Sequence, residues 1–252
     1  GYVVENAWLG QCLWRALDPA VVEWRCPAEV TALEALGDGY RLTLNDASTL
    51  DCELAVLADG GRSGLREQLG IEVQTTPYRQ TALIANITPT EPHAGQAFER
   101  FTEARPLALL PLPENRCALV WTRPGKDAER LLKLSDQAFL AELQDVFGYR
   151  LGALKQVGSR HLYPLQLIEA CEQVRPHLVL LGNAAHSLHP IAGQGYNLSL
   201  RDALCLAETL LDSRAPLGDQ VVAVDHFAGQ RLVGGDDPAH LGLDRRQVVV
   251  GE

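Results

Sequence analysis

The chain has 252 residues, 46% of them hydrophobic and 21% charged, enough for one large or two modest globular domains. Its formal net charge of −10 argues against a nucleic-acid surface, and no apolar run approaches the roughly 18 residues of a membrane-spanning helix. The cysteines at 12, 26, 52, 117, 171 and 205 lie far apart, with no Cys-x-x-Cys, as scattered thiols of a reducing cytoplasm do and a disulfide framework or zinc site does not.

Residues 5–17 predict an amphipathic helix, apolar at Trp8, Leu9, Cys12, Leu13, Ala16 and Leu17, with its tryptophans expected in a core. Strands are expected at Val21–Arg25, Val30–Leu36 and Tyr40–Leu44, the last two joined by the hairpin signal Gly37-Asp38-Gly39. Thr49–Leu57 alternates and then becomes continuously apolar, as one strand entering a buried sheet would.

That strand runs into Ala58-Asp59-Gly60-Gly61-Arg62-Ser63-Gly64-Leu65-Arg66. Asp59 can accept hydrogen bonds from ligand hydroxyls, Gly60 permits close approach to the backbone, Ser63 can cap the next helix and Arg66 adds a cation. An ordinary Asp-Gly turn before a capped helix is the plain alternative, which these residues alone leave open.

Strand candidates then follow at Thr81–Ile87, Gln96–Thr102, Leu107–Leu112 and Cys117–Thr122, separated by Pro, Gly and Asn turns. Phe98 and Phe101 read first as packing residues. Residues 127–148 are helical, with a cap at Ser135 and Gly148 after the helix. His161-Leu-Tyr-Pro-Leu165 leads onward to a buried strand, His177–Gly182. A glycine-punctuated loop through Gly193 and Gly195 then opens a helix from Asn197 to Leu211. Backbone N–H groups at such a helix start suit a phosphate or an electron-rich ring oxygen, although a tight strand-to-helix turn needs the same glycines. A final helix is expected from Asp219 to about Leu232, before a nondescript tail.

Gly182-Asn183-Ala184-Ala185-His186-Ser-Leu-His189-Pro190-Ile-Ala-Gly193-Gln194-Gly195-Tyr196-Asn197-Leu198-Ser-Leu-Arg201-Asp202 closely resembles the second FAD-binding motif of flavin-dependent aromatic hydroxylases. Within that class it is most similar to the ubiquinone-biosynthesis hydroxylases, and in particular to the 2-polyprenyl-6-methoxyphenol hydroxylases. Their loop has the form G-[DN]-A-A-H-x-x-x-P-x-A-G-Q-G-x-N-L-x-x-R-D. The Asp59–Arg66 stretch resembles the family's other fingerprint, D-G-x-x-S-x-x-R, at its family position about 120 residues earlier. The family's opening G-x-G-x-x-G unit is not found near the start, and methionine is absent throughout. The chain is therefore expected to be the family without its N-terminal dinucleotide-binding unit.

The resemblance implies an α/β, mixed α+β fold: a partial Rossmann-like FAD-binding domain interrupted by an antiparallel β-sheet substrate domain. The boundaries expected are 1–73 and 161–215 for the two FAD-binding parts, 74–160 for the substrate sheet, and 216–252 for a C-terminal helix and tail. It further implies that NAD(P)H reduces FAD, whose C4a-hydroperoxide hydroxylates a polyprenylated phenol of ubiquinone biosynthesis.

The cofactor-binding residues expected on this basis are Asp59, Gly60, Arg66, Gly182, Asn183, Pro190, Gly193, Gln194, Gly195, Tyr196 and Asn197. Asp59 would meet ribityl or ribose hydroxyls and Arg66 the phosphates. Asn183, where most relatives have aspartate, would serve the ribityl or phosphate side. The amides of Gly193 to Asn197 would face the flavin pyrimidine oxygen. Pro190 would pack at the reactive face, and His186 and His189 could tune protonation there. No metal is expected.

Ala97–Phe101 and Pro106–Leu112 resemble the segment beside the isoalloxazine, but Arg105 stands where many relatives carry glycine. A cytoplasmic protein without a secretory leader is expected, and its hydrophobic substrate implies contact with the inner-membrane surface or with a ubiquinone-biosynthesis complex. This fragment alone is expected to be inactive. A reductase or halogenase on the same scaffold is an alternative, although the W-x-W-x-I-P halogenase signature is absent. A non-catalytic component of a quinone-biosynthesis assembly is another.

Overall fold

A computed structural model describes residues 2–102, 105–188, 194–212 and 248–251. In chain order the elements are β1 (Tyr2–Glu5), α1 (Asn6–Ala16), β2 (Val30–Ala35), β3 (Tyr40–Leu44), β4 (Thr49–Cys52), β5 (Ala55–Leu57) and α2 (Leu65–Gln68). Then come β6 (Val73–Pro89), β7 (Phe98–Thr102), β8 (Arg105–Leu112), β9 (Arg116–Arg123), α3 (Gly125–Leu132), α4 (Asp136–Phe147) and β10 (Leu154–Val157). The last are β11 (His161–Ala170), β12 (Val174–Arg175), β13 (Leu178–Leu180), a short 3-10 turn (Gly182–Ala184), β14 (His186–Ser187), α5 (Gln194–Asp212) and β15 (Val248–Gly251). The chain divides into two compact units, 1–14, 77–166 and 248–252 in one, 15–76 and 167–247 in the other.

In the first unit β11, β6, β9, β8 and β7 lie in that order, and β10 pairs with β6. Antiparallel register sets Leu83 opposite Trp121 and Ala85 opposite Leu119, with Leu107 and Leu109 on the next strand. Alternation places Leu83, Ala85, Ile87, Leu107, Leu109, Leu119 and Trp121 in one core against Leu131 of α3 and Phe139, Leu143 and Phe147 of α4. Trp121 meets Phe139 edge-on at 5.9 Å, and Phe98 meets Phe147 at 5.8 Å. The helical stretch breaks where the sequence places its cap: the Ser135 hydroxyl accepts from Ala138 N–H at 3.3 Å. Phe98 packs as expected, whereas Phe101 is 75% exposed, because odd positions of β7 face away from the helices.

In the second unit β2, β3 and β4 form an antiparallel sheet, and β5 lies parallel to β13, which pairs with β12. Tyr40, Leu57, Leu65, Ile71, Leu178 and Leu180 share its core. The expected strand Thr49–Leu57 is two strands in two sheets, β4 on β3 and β5 on β13. The polar half of the run suits a hairpin edge and the apolar half a buried parallel pair.

Val21–Arg25 is irregular rather than a strand, with Val21 81% exposed. The α1 helix forms as expected but buries none of its residues among the described ones, and Trp8 and Trp14 are exposed. Amphipathic spacing specifies a helix; burial requires a neighbouring surface as well. All six cysteines are unpaired thiols. No described helix is long and apolar enough to cross a membrane, which says nothing of spans built from strands. The helix expected at Asp219 to Leu232 lies outside the described residues.

Candidate functional site

Two loops leave the carboxyl ends of the parallel pair β5 and β13, where ligands of open α/β sheets bind. Register pairs Leu57 with Leu180, and Leu181 N–H donates to Leu57 O at 2.9 Å, so both chains turn off the sheet at the same level. Asp59-Gly60-Gly61 follows β5, and Gly182-Asn183-Ala184 follows β13. The loops meet because two strands far apart in sequence are neighbours in the sheet.

The first loop is braced by its own aspartate. Asp59 Oδ1 accepts from Gly61 N–H at 2.9 Å, and Oδ2 accepts from Ser63 N–H at 3.0 Å and from the Ser63 hydroxyl. Burial pushes the carboxyl up, but these bonds outweigh it and hold its pKa below the ordinary 3.8. Ser63 does not cap α2 as expected: the cap is Gly64, and the Ser63 hydroxyl accepts from Leu65 N–H at 3.2 Å. Gly60 and Gly61 both take positive φ, 72° and 70°. A Cβ on Gly60 would meet open space, whereas one on Gly61 would lie 2.9 Å from the Arg66 guanidinium.

Arg66 is the cation expected near the phosphates. It is only 7% exposed, and its guanidinium donates to Gly61 O at 3.2 Å and Ala184 O at 3.0 Å. One side chain on α2 thus ties both loops together. Its Nε is buried with no hydrogen-bond partner among the described residues.

In the second loop Gly182 opens the 3-10 turn, Asn183 is exposed, and Ala184 and Ala185 are buried. A Cβ on Gly182 would reach the Ser199 side chain at 3.8 Å, so the turn packs against α5. That helix starts at Gln194, three residues ahead of the expected Asn197. Gln194, Gly195, Tyr196 and Asn197 therefore form its first, half-buried turn, and the N–H groups of Gln194 to Tyr196 precede the intrahelical ladder. The Ser199 hydroxyl donates to Gly195 O at 3.0 Å. His189, Pro190 and Gly193 lie outside the described residues.

Two features were not legible beforehand. Arg66 was visible as a charge but not as a link, because its acceptors are backbone carbonyls that any residue supplies. His186, in β14, is 5% exposed, and its Nε2 lies 3.0 Å from Asp202 Oδ2 on α5. Both residues stand in the sequence motif, but a spacing of 16 residues indicates no pairing by itself. Among the described residues no cluster of His, Cys, Asp and Glu could hold a metal ion.

A protein-family model described as FAD binding domain matches residues 11–214. The ubiquinone hydroxylase UbiL of Rhodospirillum rubrum is 44% identical over 213 residues, covering 84% of this chain and 49% of that protein. The 3-demethoxyubiquinol 3-hydroxylase of Escherichia coli is 33% identical over 216 residues, 85% of this chain and 55% of that protein. The human mitochondrial ubiquinone biosynthesis monooxygenase COQ6 is 30% identical over 277 residues, 91% and 58% respectively. The chain thus spans about half the length of these curated relatives.

Among solved structures, Klebsiella pneumoniae HpxO complexed with FAD and uric acid superimposes with a TM-score of 0.66 at 22% identity, over 87% of this chain and 57% of that one. The tetrameric form of 2-methyl-3-hydroxypyridine-5-carboxylic acid oxygenase gives 0.64 at 21% identity, over 92% and 66%. These two likenesses speak to the fold alone.

Proposed function

The chain belongs to the FAD binding domain family, among the ubiquinone-biosynthesis flavin hydroxylases, and we propose that it is the part of such an enzyme that holds the flavin and covers its substrate. The observation that carries this reading is the union of the two fingerprint loops at the ends of β5 and β13 under one buried arginine.

The residues present fit a flavin dinucleotide. The outer side of Gly60 is open, as is that of Gly195, so a flat ligand meets backbone there rather than side chains. FAD supplies, when bound, redox chemistry that no side chain of this protein can perform.

The protein's own contribution is placement. Asp59 holds the Gly60 turn, leaving its remaining lone-pair capacity for ribityl or ribose hydroxyls. Exposed Asn183 donates or accepts on the ribityl or phosphate side without adding charge. The N–H groups at the start of α5 would present a positive helix end to the flavin pyrimidine, where negative charge gathers on reduction. Arg66 acts through the loops that it ties together. Pro190 and His189 are assigned to the flavin's reactive face on sequence likeness.

The substrate is a polyprenylated phenol, hydroxylated with O2 and NAD(P)H in ubiquinone biosynthesis. Residues 74–160 are assigned to substrate binding on sequence likeness, and so hydrophobic a substrate reaches its enzyme from a membrane surface or a partner of the same pathway. The test is an FAD titration followed by flavin fluorescence, on this chain and on the full-length protein, then phenol-dependent NAD(P)H oxidation by the latter. Saturable binding by the full-length protein is expected. Binding by neither would overturn the reading.

A further inference from the structure

We propose that His186 and Asp202 form a positioning pair that holds the first turn of α5 in place for the cofactor, a role that rests on the flavin reading above. Residue 186 stands in β14, where it pairs with Glu169 of β11, and Asp202 stands two turns into α5. The hydrogen bond between them joins the strand that precedes the segment 188–193 to the helix that follows it. The 3-10 turn also lies beside this helix, with Ser199, one turn nearer its start, facing Gly182.

The chemistry of the ring sharpens the assignment. With a carboxylate 3.0 Å away, Nε2 carries a proton in either charge state of the imidazole. In the neutral ring this leaves Nδ1 bare, and it is shielded from solvent with no partner among the described residues. A side chain chosen only to fill space would not leave a ring nitrogen in that condition, since a buried unpaired polar atom is destabilising. What the site retains is the one directional bond to Asp202, which a leucine or phenylalanine could not make. His186 touches no ligand in this scheme; it acts through α5.

Full-length wild-type protein and the variants H186N, H186Q and D202A would be titrated with FAD, recording the visible spectrum of the bound flavin. The thermal midpoint of each apoprotein would be measured in parallel. Glutamine places an amide N–H near the Nε2 position and preserves donation to Asp202; asparagine is too short. H186N and D202A are expected to weaken FAD binding roughly 10- to 100-fold and to shift the flavin spectrum, with H186Q within about threefold of wild type. Unchanged affinity and spectrum in H186N and D202A would overturn the pairing role, as would H186Q behaving like H186N. An affinity loss that only follows the apoprotein midpoint, with the spectrum unaltered, would reduce the pair to packing and also overturn it. Failure of the wild-type protein to bind FAD would sink the flavin reading instead, so the two failures are distinguishable.

Discussion

Replacing Arg66 with alanine removes a side chain that joins the two loops, and its cost can be worked out from the structure. The guanidinium makes two hydrogen bonds, 3.0 Å to Ala184 O and 3.2 Å to Gly61 O, from a side chain that is almost wholly buried. Bonds from a charged donor contribute about 1.5–3 kcal/mol each. Burying a guanidinium that no described carboxylate pairs with offsets part of this, so the net loss expected is about 2–4 kcal/mol. Amide exchange at Ala185, whose N–H donates to Gly182 O in the second loop, reads the effect locally. Its protection should fall roughly 30- to 1,000-fold, following the same free energy.

R66K reaches one carbonyl at a time and should recover about half of the loss. R66M keeps the bulk but strands both acceptors, and should sit close to R66A. FAD affinity of the full-length protein should fall in the same order, since both loops serve one ligand. If R66A kept its amide protection within about 0.5 kcal/mol of wild type, the clamp would be an accident of packing and the reasoning would fail.

Gly60→Ala and Gly61→Ala share the strain of a positive φ, about 1 kcal/mol, but only the second drives a Cβ to 2.9 Å from the Arg66 guanidinium. Urea unfolding should therefore show Gly61→Ala more damaging by at least about 1 kcal/mol, and equal costs would refute the contact. Asp59 has a folded pKa below that of the unfolded chain, so its carboxylate contributes stability above the unfolded value and loses it as pH falls through the folded one. Asp59→Asn should flatten the acid limb of stability below about pH 4, measured as thermal midpoint against pH. In the other core Phe139→Ala should cost about 3–5 kcal/mol by urea unfolding, because the ring is fully buried against Trp121 and beneath the Arg160 guanidinium.

Much of this architecture was written into local pattern. Alternation in residues 81–87, 107–112 and 117–122 specifies strands whose inward residues must share a face, and β6, β8 and β9 contain them. Ser135 and Gly148 bound α4 because capping chemistry is local. The two fingerprint stretches could be found, and the family named, from residue identities alone. Tertiary structure decided what depends on neighbours. It divided Thr49–Leu57 between two sheets, since a strand's partner is set by which edge is free to accept it. It left the α1 tryptophans exposed, since an apolar stripe is buried only where a surface meets it. It gave Arg66 carbonyl acceptors in both loops, and His186 a partner on α5. Hydrogen bonds to carbonyls and between distant side chains leave no periodicity in a sequence; they exist only once the parallel pair has set the loops side by side.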